Sequence, residues 1–293
     1  MAAAILVLAE GFSPQVSLAA NATNSISQQR YKIAVCDWMI LKRQKLGAFQ
    51  LTKDIGADGV EVDMGSLGTR ETFANSLTNA ANRQQFLDKS RELNLKISSI
   101  AMSGFYAQSF AERTNVLRLV QYCIDTMKAM DVKIAFLPLG VTSDLLKHPE
   151  LRLLVVERLK ATGKLAESAG VVIGVETELE AGEQIKLLDE VGSPAIKIYY
   201  NLASAIQHQR DCVAELKQLG KDRVCQIHFS NQDAHWLQND PLVNAPNIKS
   251  VLDEMDWRGW LVIERSRDTN DVHNVKKNYG ANAAYLKSVF QKP

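Results

Sequence analysis

The chain has 293 residues, of which 46% are hydrophobic and 23% charged, a balance typical of a globular protein with a sizeable core. Its 34 basic and 33 acidic residues give a net charge of +1. No block of like charges suggests a nucleic-acid arm or a membrane-binding patch, so the expected partner is a small molecule and not a nucleic acid. The four cysteines lack Cys-x-x-Cys spacing, which argues against a zinc knuckle and a thioredoxin-like motif.

The first 30 residues differ in composition from the rest. Residues 2–9 form an unbroken apolar run, and Ala20-Asn21-Ala22 resembles a small-x-small cleavage pattern before a polar linker. We therefore expect residues 1–30 to be a signal peptide and linker and the protein to be exported to the periplasm, although no Lys or Arg precedes the apolar run. A cytoplasmic location is the alternative. Neither this run nor any later segment reaches the ~20 apolar residues that span a bilayer.

From residue 31 onward, short apolar runs alternate with amphipathic stretches of helical period. Eight strands are predicted, at Lys32–Cys36, Gly59–Val62, Lys96–Ile100, Lys133–Pro138, Val171–Glu176, Ile196–Tyr200, Val224–Phe229 and Trp260–Glu264. Eight helices are predicted between and after them, at Gln44–Ile55, Asn79–Leu93, Asn115–Met130, Leu151–Ala169, Glu183–Val191, Asp211–Leu219, Ile248–Met255 and Val275–Phe290.

This alternation predicts an α/β fold. The strands are apolar on both faces, as in a parallel sheet covered on both sides. Strict alternation leaves an open doubly wound sheet or a closed barrel. Eight units of ~31 residues favour a (β/α)8 TIM barrel, which typically has ~250 residues. No break in composition marks a second domain, so residues 31–293 are predicted to form one barrel.

Four polar residues close the last four predicted strands in turn, and they are Glu176, Asn201, His228 and Glu264. In a TIM barrel the carboxyl ends of the strands form the active face, and adjacent strands lie ~4.8 Å apart, so the four side chains can converge. Two carboxylates, an imidazole and an amide oxygen suit Mn²⁺, Co²⁺, Zn²⁺ or Mg²⁺. The pattern therefore predicts a divalent metal site.

Each of these residues taken alone has a plainer interpretation. His228 could be a hydrogen-bonded structural residue, Asn201 a turn residue, and Glu264 an ion-pair partner of Arg265 or Arg267. Glu178 lies two residues after Glu176 and competes with it as the residue that starts the loop. It is the joint occurrence on consecutive strand ends that favours a metal site.

The later strands resemble those of the xylose isomerase-like barrels, also called the sugar phosphate isomerase/epimerase family. The resemblance covers about residues 31–291 and is carried by Gly56-Ala57-Asp58-Gly59-Val60-Glu61, Val172-Ile173-Gly174-Val175-Glu176 and Gly259-Trp260-Leu261-Val262-Ile263-Glu264. It implies that Glu176 and Glu264 bind the metal and act as the acid/base pair. It further implies that Asn201 and His228 complete the coordination, and by analogy a homo-oligomer.

Two departures from the family pattern stand out. The strand-six form Asp-x-Gly-(Asn/His)-Ala reads Asn201-Leu202-Ala203-Ser204-Ala205 here, and the strand-seven form His-x-Lys-Asp reads His228-Phe229-Ser230-Asn231. Asn201 removes one negative charge, so a metal should be held less tightly. The missing Lys argues against a phosphorylated substrate.

The resemblance implies a metal-dependent isomerase or epimerase that abstracts a proton beside a carbonyl of a non-phosphorylated sugar and stabilises an enediolate. Two alternatives stay open, a lyase or dehydratase acting on 3-keto-glycosides or keto-polyols, and a catalytically inactive sugar-binding protein. Aromatic loop residues, Phe105-Tyr106 and His235-Trp236 among them, could pack on a sugar. The remaining candidates for substrate binding are Trp38, Glu61, Glu178, Arg265 and Arg267.

Overall fold

The computed structural model describes residues 29–291. The segment predicted as a signal peptide and linker lies almost entirely outside this range, so that call and the exported location remain predictions. Arg30, the last residue of the predicted linker, donates hydrogen bonds to the carbonyls of Trp257 and Leu252. In the described part of the chain, no helix is both long and apolar enough to cross a membrane.

Eight parallel strands form a closed barrel in chain order. They are β1 (Tyr31–Cys36), β2 (Gly59–Asp63), β3 (Lys96–Ala101), β4 (Ile134–Pro138), β5 (Val172–Glu176), β6 (Ile196–Asn201), β7 (Val224–His228) and β8 (Gly259–Ile263). Closure occurs between β8 and β1, where Leu261 lies opposite Ile33. The predicted α/β class and the (β/α)8 TIM barrel are confirmed.

Nine α-helices surround the barrel in the described residues. They are α1 (Gly47–Ile55), α2 (Ala80–Glu92), α3 (Val116–Met130), α4 (Arg152–Ala169), α5 (Ala181–Val191), α6 (Leu202–Gln207), α7 (Cys212–Leu219), α8 (Ala245–Glu254) and α9 (Val275–Phe290). The six-residue α6 was not predicted because it is too short for its period to show. Helix α8 begins before its predicted start, because Asn244 caps it and Pro246 is tolerated in the first turn.

The core has two parts. The larger part lies between the strands and the helices, and its buried apolar side chains account for the strands being hydrophobic on both faces. The smaller part is a separate cluster of six residues from five different strands, namely Ala34, Cys36, Ala101, Phe136, Tyr199 and Val262. Successive side chains of a strand point to opposite faces, so these residues fill the barrel interior beneath the carboxyl ends of the strands.

Register shifts occur at two places in the barrel. One lies between Val60 and Glu61 and sets Glu61 opposite Ser99. The other lies between Ile198 and Tyr199 and sets Tyr199 opposite Gln226. Such irregularities change the direction of side chains locally. The four polar residues at these two places meet inside the barrel.

Candidate active site at the carboxyl ends of the strands

The four residues predicted as a metal site lie together at one mouth of the barrel. Glu176, Asn201 and His228 are the last residues of β5, β6 and β7, and Glu264 directly follows β8. The His228 Nδ1 atom lies 2.9 Å from Oε2 of Glu176 and 3.9 Å from Oε2 of Glu264. Both glutamates and the imidazole are buried. The convergence predicted from strand order is therefore present in the structure.

A tyrosine hydroxyl lies between the two glutamates. The Tyr106 oxygen is 2.9 Å from Oε1 of Glu176 and 3.0 Å from Oε1 of Glu264. Each glutamate thus directs one oxygen toward His228 and the other toward Tyr106. A single hydroxyl proton cannot serve both carboxylates at once, so Tyr106 donates to only one of the two at a time.

Burial and charge set the protonation of these groups. Burial raises the pKa of Glu264, the charge of Glu176 raises it further, and His228 opposes both effects. Burial alone would lower the pKa of His228, but the carboxylates of Glu264, Glu176 and Glu61 raise it well above its usual value. Burial also raises the pKa of the Tyr106 hydroxyl well above its usual value. At neutral pH Tyr106 is therefore a hydrogen-bond donor and not a phenolate.

Asn201 is held by both ends of its amide. Its Nδ2 donates to Oε2 of Glu176 at 2.7 Å, and its Oδ1 accepts from the backbone N–H of Ala203 at 2.9 Å as the N-cap of α6. If the amide were rotated by 180°, its NH₂ group would face the Ala203 N–H. That N–H would then have no hydrogen-bond acceptor. The oxygen predicted to bind a metal therefore faces the helix, and its role as a ligand remains a prediction.

Three of the four residues fit a divalent cation. The site offers nitrogen and carboxylate donors of the kind that Mn²⁺, Co²⁺ and Zn²⁺ accept. They are the inward oxygens of Glu176 and Glu264 and the Nδ1 of His228. Their separations of 2.9 and 3.9 Å from Nδ1 let all three surround one ion. Two carboxylates would balance the charge of the ion, which lowers the cost of burying it. Asn201 in its present orientation supplies no oxygen to this set.

Strand β2 extends one residue beyond its predicted end at Val62, to Asp63. Glu61 lies beneath His228 and is fully buried, with Oε1 3.1 Å from His228 Nε2. Its Oε2 accepts from Ser99 and Tyr199. A carboxylate enclosed in this way has no exposed surface, and substrate contact by Glu61 remains a prediction. The shift in register beside Glu61 could not be read from the apolar pattern of the strand.

A cavity of about 350 Å³ opens above the buried cluster, a size in the range of small-molecule sites, ~300–1,000 Å³. Glu178 and Arg265, both predicted to bind substrate, line it together with Tyr106. Glu178 accepts from Ser204 at 2.6 Å, and Arg265 donates to Gln232 at 2.9 Å. Both side chains are therefore held at the wall of the cavity by neighbours.

The other two predicted substrate residues lie apart from this lining. Trp38 stacks on Phe136 with ring centroids 6.4 Å apart. The Arg267 guanidinium pairs with Asp233, whose Oδ1 also accepts from the Arg267 backbone N–H. Substrate contact by Trp38 and Arg267 remains a prediction.

Tyr106 is the residue whose role the sequence did not indicate. It closes a single 3-10 turn, Ser103–Tyr106, after β3, and its sequence neighbourhood suggested only an aromatic surface for a sugar. The side chain reaches the glutamates of β5 and β8 across the mouth of the barrel. The periodicity of the sequence contains no signal for such a contact between distant loops.

A sequence model described as xylose isomerase-like TIM barrel matches residues 49–289. The chain belongs to this family. The match begins within α1 and ends within α9, so it includes every strand from β2 to β8 and all the residues of the candidate site. A comparison with curated proteins found no significant sequence match.

Solved structures share the fold of this xylose isomerase-like barrel. A D-psicose 3-epimerase crystallised in the presence of D-fructose has 12% identity and a TM-score of 0.70, over 89% of this chain and 100% of that one. A sugar phosphate isomerase/epimerase from Parabacteroides distasonis has 17% identity and a TM-score of 0.67, over 88% and 94%. A 3-keto-D-glucoside 4-epimerase from E. coli has 13% identity and a TM-score of 0.67, over 89% and 100%. At these identities the likeness establishes the fold.

Proposed function

We propose that this protein is a divalent-metal-dependent sugar isomerase or epimerase that removes and returns a proton on a carbon beside a carbonyl. The observation that carries the proposal is the pair of buried carboxylates, Glu176 and Glu264, that reach the same hydroxyl group at 2.9 and 3.0 Å. The fold neighbours that are named sugar epimerases and isomerases support the same class of reaction.

The two glutamates are arranged to act on opposite sides of one small group. A substrate carbon held in the cavity between the two glutamates would lie within reach of both carboxylates, and one could accept a proton while the other returns one. Return to the other face of the same carbon gives epimerisation, and return to the adjacent carbon gives isomerisation. Burial raises the pKa of Glu264, which suits it to hold the proton between the two transfers.

Glu176, His228 and Glu264 would hold the cation through the atoms that face one another. A divalent cation supplies a Lewis acid that polarises the substrate carbonyl and stabilises the negative charge that develops on its oxygen. Tyr106 and Asn201 both donate hydrogen bonds to Glu176, so they keep its two oxygens pointing in different directions. Glu178 and Arg265 would contact the more distant hydroxyl groups of the sugar.

The orientation of Asn201 favours one alternative, a sugar-binding protein without a bound metal. Its amide nitrogen, 2.7 Å from Glu176, occupies the position of a fourth ligand but has no lone pair for a cation. Metal analysis separates the two functions. A protein that binds a ketose but no cation would support the alternative.

The proposed reaction predicts exchange of a carbon-bound proton with solvent. In D₂O with Mn²⁺ and a panel of ketoses that begins with D-fructose, we expect the wild-type protein to incorporate deuterium beside the carbonyl. Glu264→Gln should slow this exchange by about 10²–10⁴-fold, because a positioned acid or base contributes on that order. Proton NMR of the recovered sugar measures the exchange, and chromatography identifies the product.

Glu178→Gln is the matched control, because Glu178 lines the same cavity but does not contact His228. It should change the KM far more than the exchange rate. Full exchange in Glu264→Gln would remove Glu264 from the acid/base pair. Loss of water or of a glycosyl group from the substrate would instead make the protein a lyase.

A further inference from the structure

Both ring nitrogens of His228 face carboxylates. Nδ1 lies 2.9 Å from Glu176 and Nε2 lies 3.1 Å from Glu61. The imidazole is fully buried, so water cannot substitute for either partner. The hydrogen bond at one nitrogen therefore decides what the other nitrogen can do.

Glu61 is suited to fix the proton on Nε2. Its carboxylate is an acceptor only, so the ring presents an N–H to it. Glu176 draws a proton to Nδ1 in the same way, so without a cation both ring nitrogens carry protons. A cation between Glu176 and Glu264 would displace only the proton on Nδ1, and Glu61 would keep the proton on Nε2. Histidines that bind metals commonly donate their other ring nitrogen to a carboxylate in this manner.

Glu61 is itself held on every side. Its Oε2 accepts from the hydroxyls of Ser99 at 2.5 Å and Tyr199 at 2.8 Å. Gln226 Nε2 donates to both of those hydroxyls, at 2.8 and 2.9 Å, which directs their protons toward Glu61. The register shifts in β2 and β6 bring these residues together. The carboxylate therefore cannot swing away from His228.

We propose that Glu61 is a positioning residue that keeps a proton on Nε2 of His228 and aims Nδ1 at the metal position between Glu176 and Glu264. The metal part of this inference rests on the proposed function. The part that concerns Nε2 does not, because it follows from the contact between Nε2 and Glu61.

A competing interpretation makes Glu61 a metal ligand. Oε1 of Glu61, Nε2 of His228 and the Cys36 sulfur all lie within 4.8 Å of one another. All three side chains are fully buried, whereas a metal site needs a path by which the ion can enter. Cys36 also lies 3.5 Å from Glu61 Oε1, at hydrogen-bond distance for a thiol. The contacts are therefore better explained as hydrogen bonds.

The test titrates Mn²⁺ into metal-free protein and follows binding by calorimetry. Glu61→Gln should bind Mn²⁺ about 10–100-fold more weakly than wild type, the usual loss when the carboxylate behind a ligating histidine is changed. Glu254→Gln, on the exposed surface of α8, is the control and should bind as wild type does. Tyr199→Phe removes one donor to Glu61 and keeps the ring, so it should give a smaller loss and also serves if Glu61→Gln does not fold.

A second readout needs no metal. In protein labelled with ¹⁵N-histidine, NMR should show a proton on Nε2 of His228 in the wild type, assigned by its loss in His228→Gln. Glu61→Gln, or Tyr199→Phe in its place, should change the chemical shift of that proton, because the acceptor of its hydrogen bond is altered. Unchanged ring signals would overturn the proposal, as would unchanged Mn²⁺ affinity in a wild type that binds one ion.

The two proposals fail in different ways. A wild type that binds no Mn²⁺ contradicts the metal centre of the proposed function, while the ring signals of His228 still decide the role of Glu61. Two ions per chain, with one lost in Glu61→Gln, would make Glu61 a ligand and overturn its positioning role.

Discussion

Asn201 shows how one atom can change a site. Its amide donates to Glu176 and caps α6 at the same time, and both bonds depend on which end of the amide carries the nitrogen. An aspartate at this position could cap the helix with one oxygen and present the other to a cation. The family pattern has Asp at the end of strand six, so Asn201→Asp restores the family residue.

Asn201→Asp should make the protein depend on metal for its stability. Without metal, a carboxylate oxygen would replace the amide nitrogen that lies 2.7 Å from Glu176, and the lost hydrogen bond should destabilise the fold by about 1–3 kcal/mol. With Mn²⁺ this penalty should vanish, because the cation lies between the two charges, and Mn²⁺ should bind about tenfold or more tightly. Urea unfolding with and without Mn²⁺ measures both effects.

Asn79→Asp is the matched control for this change. Asn79 caps α2 with the same side-chain oxygen, which accepts from Ala81 and Asn82, but it is exposed and lies in a different loop. Its substitution should leave Mn²⁺ affinity unchanged. Equal stability of Asn201→Asp with and without Mn²⁺ would contradict the metal position inferred from Glu176, His228 and Glu264.

At the scale of elements, the loop after β4 fixes the turn that carries Tyr106. Gly140 has φ +62°, and a Cβ placed there would lie 2.4 Å from the carbonyl oxygen of Phe105 and 2.7 Å from the Cα of Tyr106. The next residue, Val141, donates its backbone N–H to the Tyr106 carbonyl at 3.2 Å. The position of the Tyr106 hydroxyl between the glutamates therefore depends on the absence of a side chain at residue 140.

Gly140→Ala should displace Tyr106. Gly170, at the end of α4, has a similar φ of +65° but no atom within 4 Å of an added Cβ, so Gly170→Ala isolates the backbone strain, about 1–2 kcal/mol. Gly140→Ala should cost about 1–3 kcal/mol more, as expected of overpacking, and should also slow proton exchange in D₂O. Urea unfolding and the exchange assay measure the two consequences. Equal behaviour of the two variants would show that Tyr106 is not held by this contact.

At the scale of the whole molecule, the parts predictable from sequence are those set by local pattern. Apolar runs located every strand, and the polar residue at the end of each of the last four strands located Glu176, Asn201, His228 and Glu264. The burial of Glu61 beneath His228 was not predicted, because a register shift depends on pairing with β3 and not on its own strand. The contact of Tyr106 with both glutamates joins loops 70 and 158 residues apart, which no local pattern encodes.

The stability of the fold should depend on pH through a buried carboxyl group at the mouth of the barrel. Asp63, the last residue of β2, is fully buried and pairs with Arg43 at 2.9 Å and Ser103 at 2.9 Å. Its Oδ1 has no hydrogen-bond partner among the described residues. Burial raises the pKa of Asp63 to about 7, although Arg43 acts in the opposite direction. The unfolded chain should titrate this carboxyl near the usual value for Asp, ~3.9.

The folded protein therefore binds more protons than the unfolded chain between about pH 4 and 7. The contribution of Asp63 to the free energy of unfolding is fully present below pH ~4. It is lost as the pH rises through about 7. From pH 5 to 8 the wild type should lose on the order of 2–3 kcal/mol more unfolding free energy than Asp63→Asn, because each unit of pKa shift corresponds to ~1.4 kcal/mol. Asp125→Asn, on the exposed face of α3, should follow the wild type. Urea unfolding at both pH values measures the difference, and parallel behaviour of wild type and Asp63→Asn would show that Asp63 stays ionised in the fold.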